Sequence, residues 1–467
     1  MRLLALVGAT LALAAVADAL PAQGWVDRTG PNGPAPRGGH AMCHDPVRGY
    51  VLMVGQHPAS GGSGTVAETW SWNGTAWTLR GPAPQAMTHT PYGPYNFPSA
   101  YALAVHAATN EVLLAVDSST TTTAGPAVVY RWDGAVWTQV ASGLTPTMET
   151  SLGLACDPAR NQTVLFSTSS PNQVMVYDGV AWSTRPVTSP PTIGFGAQTV
   201  AMAFDAVVGK VVLATVGMVW EWNGLGWNQR TLATPITQFV AAAASNDALR
   251  NRIVAWGASF AVNTQVGGQT WLYGNAVATP LAFAVEPSMR SSTAMAYDPV
   301  RDVHVLFGGS MYLGLFPAAL FGDTWEFHLG PLAGVTPYGA GCAGSRGVPQ
   351  LAALGGSLPR VGQTFTTRTT NLPLGGPVFQ LLGFSDVDYG GAPLPIDLTL
   401  LGAPGCWLRT SIETAQPVGN VLGNATWSIA IPPLLGATFY VQTAPFDLAA
   451  NGLALTFSNG ARVVVGL

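Results

Sequence analysis

Few residues in this sequence have the type and spacing that catalysis or metal binding requires. The closest pair of histidines, His40 and His44, is four residues apart, a spacing that aligns two metal ligands on a helix. The residues around them alternate as in a strand, and no Glu follows His40, so the zinc metalloprotease motif is absent. The sequence therefore predicts no metal site and no cofactor.

Motifs for nucleophilic or phosphate chemistry do not occur either. The sequence contains no Gly-x-Ser-x-Gly elbow and no Gly-x-x-x-x-Gly-Lys phosphate loop. Glycoside hydrolysis needs two poised carboxylates, and no pair stands out among the 23 Asp and Glu residues. We assign no catalytic residues from the sequence and leave the ligand-binding residues unassigned.

The N-terminus has the layout of a secretory signal peptide. Met1-Arg2 forms a short positive region, residues 3–16 are apolar, and small residues follow. We predict a signal peptide over residues 1–22, cleaved after Ala19 or Ala22, and a secreted or extracytoplasmic protein without a membrane span once it is removed. An uncleaved anchor is the alternative, although the apolar stretch is short for a span.

Charge restricts the class of partner. Only 9% of the 467 residues are charged and the formal net charge is -4, whereas an ordinary soluble domain carries about 25% charged residues. Nucleic-acid binding needs a basic surface to neutralise phosphates, so we expect no nucleic-acid partner.

The sequence contains an internal repeat, and the repeated strands must position any binding or catalytic site in this part of the chain. A pattern of spaced aromatics around Asn-Gly or Asp-Gly recurs over residues 70–77, 130–137, 175–182 and 220–227, with weaker copies near Trp271 and Trp325. The copies are about 45–60 residues apart, a length that suits one four-stranded propeller blade. Most of the 15 tryptophans occupy repeat positions, so we interpret them as packing residues rather than as a sugar-stacking surface.

Local sequence predicts two hairpins in each copy. The first follows an Asp that starts a turn, as in Asp45-Pro-Val-Arg48. In the second, two aromatic strands flank a dipeptide that predicts a type I′ turn with two positive-φ residues. These turn residues are Asn73 and Gly74, Asp133 and Gly134, Asp178 and Gly179, and Asn223 and Gly224.

Six copies predict an all-β fold with a six-bladed propeller over residues 23–332. The last copy lacks a fourth strand after Trp325-Glu-Phe327. Trp25 and the residues after it resemble the fourth strands of other copies, so we predict that they complete the last blade and close the ring.

The repeat resembles kelch repeats. The resemblance is strongest in the last copy, where Gly308-Gly309 follows an apolar strand and precedes Trp325. The other copies lack the di-glycine, as in Val54-Gly55-Gln56. The resemblance implies a kelch-like β-propeller.

The repeat stops near residue 330, and residues 336–467 predict a small β-sandwich. Its Gly-Ala-Gly-Cys342 opening, Pro-Gly-Cys406 centre and Ser-Asn-Gly460 hairpin resemble C-terminal modules of secreted bacterial multidomain proteins. Strands are expected at 364–370, 378–384, 396–401, 426–431, 438–443 and 453–457, and Asn459-Gly460 is expected to turn into a last strand at 461–465 as a final hairpin.

The four cysteines divide into two pairs. An exported protein permits disulfides, and both Cys342 and Cys406 lie in the C-terminal module. We predict a structural disulfide between them. Cys43 and Cys156 belong to copies that are not neighbours in a ring, so we expect free thiols there.

These observations favour a secreted, non-enzymatic binding or scaffold protein whose propeller loops recognise a protein or a glycan. An extracellular polysaccharide-acting enzyme, with its site at the propeller channel, and a purely structural envelope component are the alternatives. The longest connections are the best candidates for binding. They are residues 58–65, 81–98, 118–126 and 311–320, the second of which contains Tyr92, Tyr95 and Phe97.

Overall fold

The structure is a computed structural model that describes most of the chain after the predicted signal peptide. The described residues are 23–58, 65–86, 101–119, 125–144, 151–192, 200–215, 218–231, 239–261, 264–274, 277–313, 316–432 and 434–466. The predicted signal peptide lies outside them, as do Tyr92, Tyr95, Phe97 and part of each candidate loop. Within these ranges no helix has the length and apolar character needed to cross a membrane.

The fold is all-β, and its first compact unit, Gly24–His328, consists of four-stranded antiparallel sheets. In the described residues of this unit, β1 (Gly24–Asp27) precedes sheet 1, which contains β2 (Ala41–Asp45), β3 (Tyr50–Pro58), β4 (Thr65–Trp72) and β5 (Trp77–Pro82). Sheet 2 contains β6 (Tyr101–His106), β7 (Glu111–Asp117), β8 (Ala127–Trp132) and β9 (Trp137–Gly143). Sheet 3 contains β10 (Leu152–Asp157), β11 (Gln162–Ser167), β12 (Gln173–Tyr177) and β13 (Trp182–Pro186). Sheet 4 contains β14 (Ala201–Asp205), β15 (Lys210–Thr215), β16 (Met218–Trp222) and β17 (Trp227–Arg230). Sheet 5 contains β18 (Phe239–Asp247), β19 (Arg252–Ala261), β20 (Thr264–Gly274) and β21 (Val277–Leu281). Sheet 6 contains β22 (Ala294–Asp298), β23 (Val303–Leu313), β24 (Phe316–His328) and β1.

The outer strand of sheet 6 comes from the other end of the unit. β1 pairs with β24 so that Trp25 lies opposite Phe327, as Trp77 lies opposite Trp72 in sheet 1. The prediction that residues near Trp25 supply this strand is confirmed.

The first strands of the sheets contact one another in cyclic order, from β2 through β6, β10, β14, β18 and β22 back to β2. Apolar residues fill the spaces between consecutive sheets, as where Leu114 of sheet 2 clusters with Leu52 of sheet 1. Stacked four-stranded sheets of this kind are consistent with a propeller-type fold.

The Asn-Gly and Asp-Gly turns have a different geometry from the predicted one. Gly74 has a φ of 99°, but Asn73 is not in the positive-φ region, so the prediction of a type I′ turn is wrong. Asn73 Oδ1 instead accepts the backbone N–H groups of Thr75 and Ala76, both at 2.9 Å, and this Asx turn closes a four-residue loop. The same bonds recur at Asp133-Gly134, Asp178-Gly179 and Asn223-Gly224.

The Asp-x-x-Arg turns connect neighbouring sheets. Asp45 Oδ1 accepts the backbone N–H of Arg48, and Arg48 Nη1 donates to Asp45 Oδ2 at 2.7 Å. The Arg48 guanidinium also donates to the carbonyl of Asp133 in the next sheet and covers Gly134, where a Cβ would collide with it. Clearance as well as positive φ therefore requires glycine at this turn. Further turns pair Asp157 with Arg160, Asp247 with Arg250 and Asp298 with Arg301.

A tryptophan at the start of the fourth strand forms another link. Trp137 Nε1 in sheet 2 donates to Thr69 Oγ1 in sheet 1 at 2.9 Å. The matching bonds join Trp77 to Thr324 and Trp25 to Thr270. In sheets 2 and 3 this threonine is replaced by Val129 and Val174. The tryptophans of the next sheets that would bond to a hydroxyl there are Trp182 and Trp227, and their indole N–H groups are buried without a partner in the described structure.

The second compact unit, from Leu329 onward, contains a five-stranded and a four-stranded antiparallel sheet, and residues of both sheets form one apolar cluster. The five-stranded sheet has the order β25 (Gly334–Tyr338), β37 (Gly460–Val464), β36 (Thr438–Pro445), β28 (Val378–Gly383) and β33 (Thr414–Val418). The four-stranded sheet has the order β26 (Gln350–Ala353), β27 (Thr364–Thr370), β35 (Asn424–Ala430) and β34 (Asn420–Val421). Short pairs join β29 (Asp388–Tyr389) to β30 (Ala392–Pro393) and β31 (Ile396–Asp397) to β32 (Trp407–Leu408), and 3-10 turns lie at Leu354–Gly356 and Thr399–Leu401.

Two strand predictions in this unit are wrong. The expected strand at 396–401 ends after Asp397, because Asp397 Oδ1 accepts both the N–H and the hydroxyl of Thr399 and starts a 3-10 turn. The expected hairpin at Asn459-Gly460 does not form: residues 453–457 are not a strand, and β37 pairs with β25 and β36. The Asn459 side chain instead bonds both the N–H and the carbonyl of Leu351.

The cysteines are arranged as the sequence suggested. Cys342 and Cys406 form a disulfide with a Cα–Cα distance of 4.9 Å, and both are buried. A disulfide is compatible with an extracellular location. Cys43 and Cys156 are free, and burial raises the pKa of the Cys43 thiol well above its ordinary value. Cys43 is therefore an inert core residue rather than a nucleophile.

Candidate functional site

A pocket of about 380 Å³ opens between sheets 2 and 3 of the first unit. Strand alternation explains part of its lining, because residues i and i+2 of a strand face the same side. From sheet 2, Glu111 and Leu113 of β7 and Arg131 of β8 face sheet 3. Tyr177 of β12 and Trp182 of β13 face them from sheet 3.

Glu111 is the centre of a hydrogen-bonded cluster. Arg131 Nη1 donates to Glu111 Oε1 at 3.0 Å, and Tyr177 Oη and Thr109 Oγ1 donate to Oε2 at 2.6 and 2.9 Å. Burial raises the pKa of Glu111, but these donors outweigh it and hold that pKa below its ordinary value. Glu111 is therefore ionised at neutral pH, and three donors occupy its two oxygens.

An aromatic wall lies beside this cluster. The rings of Tyr177 and Trp182 stack, with centroids 5.3 Å apart and an angle of 23° between their planes. Burial and the bond to Glu111 raise the pKa of Tyr177 to about 12, so its hydroxyl keeps its proton at neutral pH. Trp182 is only partly buried, whereas Trp227 at the same position of sheet 4 is fully buried.

A Glu–Arg pair at these two positions occurs in sheet 2 alone, whereas sheet 4 has the reversed pair Lys210–Glu221. The register aligns Glu111 with Tyr50 of sheet 1, and Arg131 with Ser71. In sheets 3 to 6, the residues at the position of Glu111 are, in order, Gln162, Lys210, Arg252 and Val303. The residues at the position of Arg131 are, in the same order, Val176, Glu221, Leu272 and Glu326. The repeat itself therefore does not require a Glu–Arg pair facing tyrosine and tryptophan.

The pocket has the chemistry of a binding site. Its lining contains one carboxylate, one guanidinium, hydroxyl groups and the partly exposed tryptophan. A polar cluster on one side and an apolar wall on the other are typical of small-molecule sites. Glycoside hydrolysis with an acid and a base needs a second carboxylate, and Glu111 is the one carboxylate among the lining residues.

A second polar cluster joins sheets 5 and 6. Ser245 Oγ lies 2.7 Å from His304 Nδ1, and His304 Nε2 lies 3.8 Å from Asp247 Oδ2. All three residues are buried, and Asp247 also accepts hydrogen bonds from Arg250. The group resembles a catalytic triad in composition, but substrate has no access to a serine that is 6% exposed.

None of the site residues predicted from the sequence is among the residues that line the pocket. The disulfide belongs to the second unit. Of the predicted turns, only Asp178-Gly179 adjoins the pocket, through Val180 and Ala181. Histidine and acidic residues in the described ranges form no group of three or more able to hold a metal ion.

Sequence reasoning missed Glu111, Arg131 and Tyr177. Tyr177 was identified as a repeat aromatic, and Glu111 and Arg131 belong to no motif. These residues can be found by comparing, from copy to copy, the two positions that Glu111 and Arg131 occupy, instead of comparing the repeated aromatic residues. Sheet 2 alone has Glu and Arg at these two positions.

No protein-family model matches the chain, and no curated protein matches it. Solved structures do match. One is a protein of unknown function from Bacteroides thetaiotaomicron, 11% identical with a TM-score of 0.42, covering 66% of this chain and 72% of its own.

Two further matches act on or bind sugars. An exo-β-1,3-galactanase from Phanerochaete chrysosporium is 11% identical with a TM-score of 0.36, covering 94% of this chain and all of its own. The SapL1 lectin, solved with α-methyl fucoside, is 13% identical with a TM-score of 0.39, covering 58% of this chain and 88% of its own. Similarities of this size assign neither a family nor an activity to the chain.

Proposed function

We propose that the protein is a secreted glycan-binding protein whose site is the pocket between sheets 2 and 3. Gly24–His328 would be a six-bladed kelch-like propeller and residues 336–467 a β-sandwich that adds stability or attachment. The signal-peptide pattern and the disulfide support an extracytoplasmic location.

One observation carries the proposal: a hydrogen-bonded Glu111–Arg131–Tyr177 cluster lies beside the partly exposed ring of Trp182 in an open pocket. A sugar ring has hydroxyl groups on its rim and apolar C–H faces. Charged and hydroxyl side chains bond the rim, while an aromatic ring packs against a face. A single carboxylate favours binding over hydrolysis.

The test is a glycan and cell-wall polymer array probed with the mature protein, followed by titration of a bound glycan with tryptophan fluorescence as readout. We expect Arg131→Gln to reduce affinity at least tenfold, since hydrogen bonds to charged groups contribute about 1.5–3 kcal/mol.

Lys210→Gln is the matched control. It removes the 2.8 Å bond between Lys210 and Glu221 at an equivalent place in sheet 4, and should leave binding unchanged. Silence of the folded protein on every array would refute the proposal, and so would an equal loss of binding in both variants.

A further inference from the structure

The hydrogen-bonding capacity of the pocket indicates which class of sugar it takes. A carboxylate has about four acceptor positions. Three of those on Glu111 are occupied, by Arg131, Tyr177 and Thr109. The only charged acceptor of the lining therefore has little capacity left for hydroxyl groups of a ligand.

Donors, in contrast, are in surplus. Arg131 has five N–H groups, and the hydrogen bond to Glu111 uses one of them. Half of its side chain is exposed. The hydroxyls of Ser142 and Thr184, both exposed, also line the pocket. The occupant that fits this lining supplies acceptors to a half-exposed guanidinium.

We infer that the pocket binds a uronic-acid residue of a glycan, whose carboxylate pairs with Arg131 while its ring packs against Trp182. This inference rests on the proposed function and makes it specific. A planar guanidinium matches a carboxylate with two parallel hydrogen bonds, a geometry that lysine cannot reproduce. A neutral sugar would offer hydroxyl groups that make weaker bonds to the same nitrogen atoms.

Isothermal titration of the mature protein with methyl β-glucuronide and methyl β-glucoside tests the inference. We expect the glucuronide to bind at least tenfold more tightly, and its affinity to fall between 50 and 500 mM salt. Arg131→Lys should remove most of the difference between the two sugars, while Lys210→Gln should preserve it.

The outcomes separate this inference from the proposed function. Equal affinity for the two sugars, or array binding restricted to neutral glycans, overturns the uronic-acid inference and leaves glycan binding intact. Failure of both sugars together with a silent array overturns both. Retention of the preference for glucuronide in Arg131→Lys would refute the role given to the guanidinium.

Discussion

Replacing Val129 by threonine should stabilise the first unit, although it places a polar group in its core. Val129 is fully buried in sheet 2, in the apolar cluster against which Trp182 packs. Its position matches that of Thr69 in sheet 1, whose hydroxyl accepts the indole N–H of Trp137. The indole N–H of Trp182 is buried without a partner among the described residues, and V129T would supply the missing acceptor.

The magnitude follows from the cost of an unsatisfied buried donor, about 1–3 kcal/mol. The new hydroxyl must itself leave water, so we expect a net gain of about 1 kcal/mol. The reverse change, Thr69→Val, leaves Trp137 without its acceptor and should cost about 1–3 kcal/mol.

The assay is the melting temperature of the first unit, followed by near-ultraviolet circular dichroism of its tryptophans. Val219→Thr is the matched control, because Val219 has the same register in sheet 4 but faces Ala278 where other sheets have tryptophan. With no indole to bind, its hydroxyl should destabilise. If V129T and V219T lower the melting temperature equally, the alignment of Val129 with Thr69 does not place a hydroxyl within reach of Trp182, and the reasoning fails.

Three further predictions concern charge. Burial, reinforced by the positive charge of Arg37, lowers the pKa of His40 to about 3. The fold therefore gains full stability from the neutral imidazole above pH 6.5, and it loses about 2 kcal/mol of this stability by pH 5, where an unfolded histidine is protonated. Chemical denaturation of His40→Gln between pH 7 and 4 should not show this loss of stability. Asp323→Asn leaves the fully buried Arg290 without its carboxylate partner at 2.5 and 2.8 Å and should cost about 3 kcal/mol in chemical denaturation. The hydrogen-bond donors around Glu111 outweigh burial and lower the pKa of its carboxyl group. The ionised Glu111 therefore stabilises the fold above its ordinary pKa, and this stability is lost as pH falls through the lowered pKa. In Glu111→Gln, the melting temperature should depend less on pH between pH 5 and 3.

The sequence was sufficient for features that each copy repeats. Aromatic spacing predicted which strands pair, and the likeness of Trp25 to Trp77 predicted that β1 pairs with β24. It was insufficient for turn geometry, because an Asn-Gly pair suits both a two-residue hairpin turn and an Asx turn in a four-residue loop. Asn73 adopts the second, since its side-chain oxygen satisfies two backbone donors that would otherwise bond to water.

The C-terminal unit shows a second limit. Short apolar runs predicted β27, β28, β35, β36 and β37 of its two larger sheets. The short β26 and β34 were missed, and so were β25 and β33, which contain proline and polar residues. Their pairing depends on partners distant in the chain, as where Val335 of β25 lies opposite Val463. Long-range pairing of this kind leaves little trace in local periodicity.

The pocket lies at one of the junctions where the Asp–Arg link of the repeat is absent. Sheet 2 has His106 at the position that is Asp45 in sheet 1, and Thr109 at the position of Arg48, so the Asp–Arg link to the next sheet is absent there. The same junction has Glu111 at the start of β7, facing Tyr177. Sheet 4 also lacks the link, because Val208 stands at the position of Arg48 after Asp205. Sheet 2 is the one that combines the missing Asp–Arg pair with the Glu111–Arg131 pair, and His106 Nδ1 lies 3.0 Å from Thr163 Oγ1 of sheet 3 instead. The double change His106→Asp and Thr109→Arg would rebuild the Asp–Arg pair but remove the His106–Thr163 contact and the bond from Thr109 to Glu111, and should therefore reduce sugar affinity. If sugar affinity is unaffected by the double change, these two residues have no part in binding.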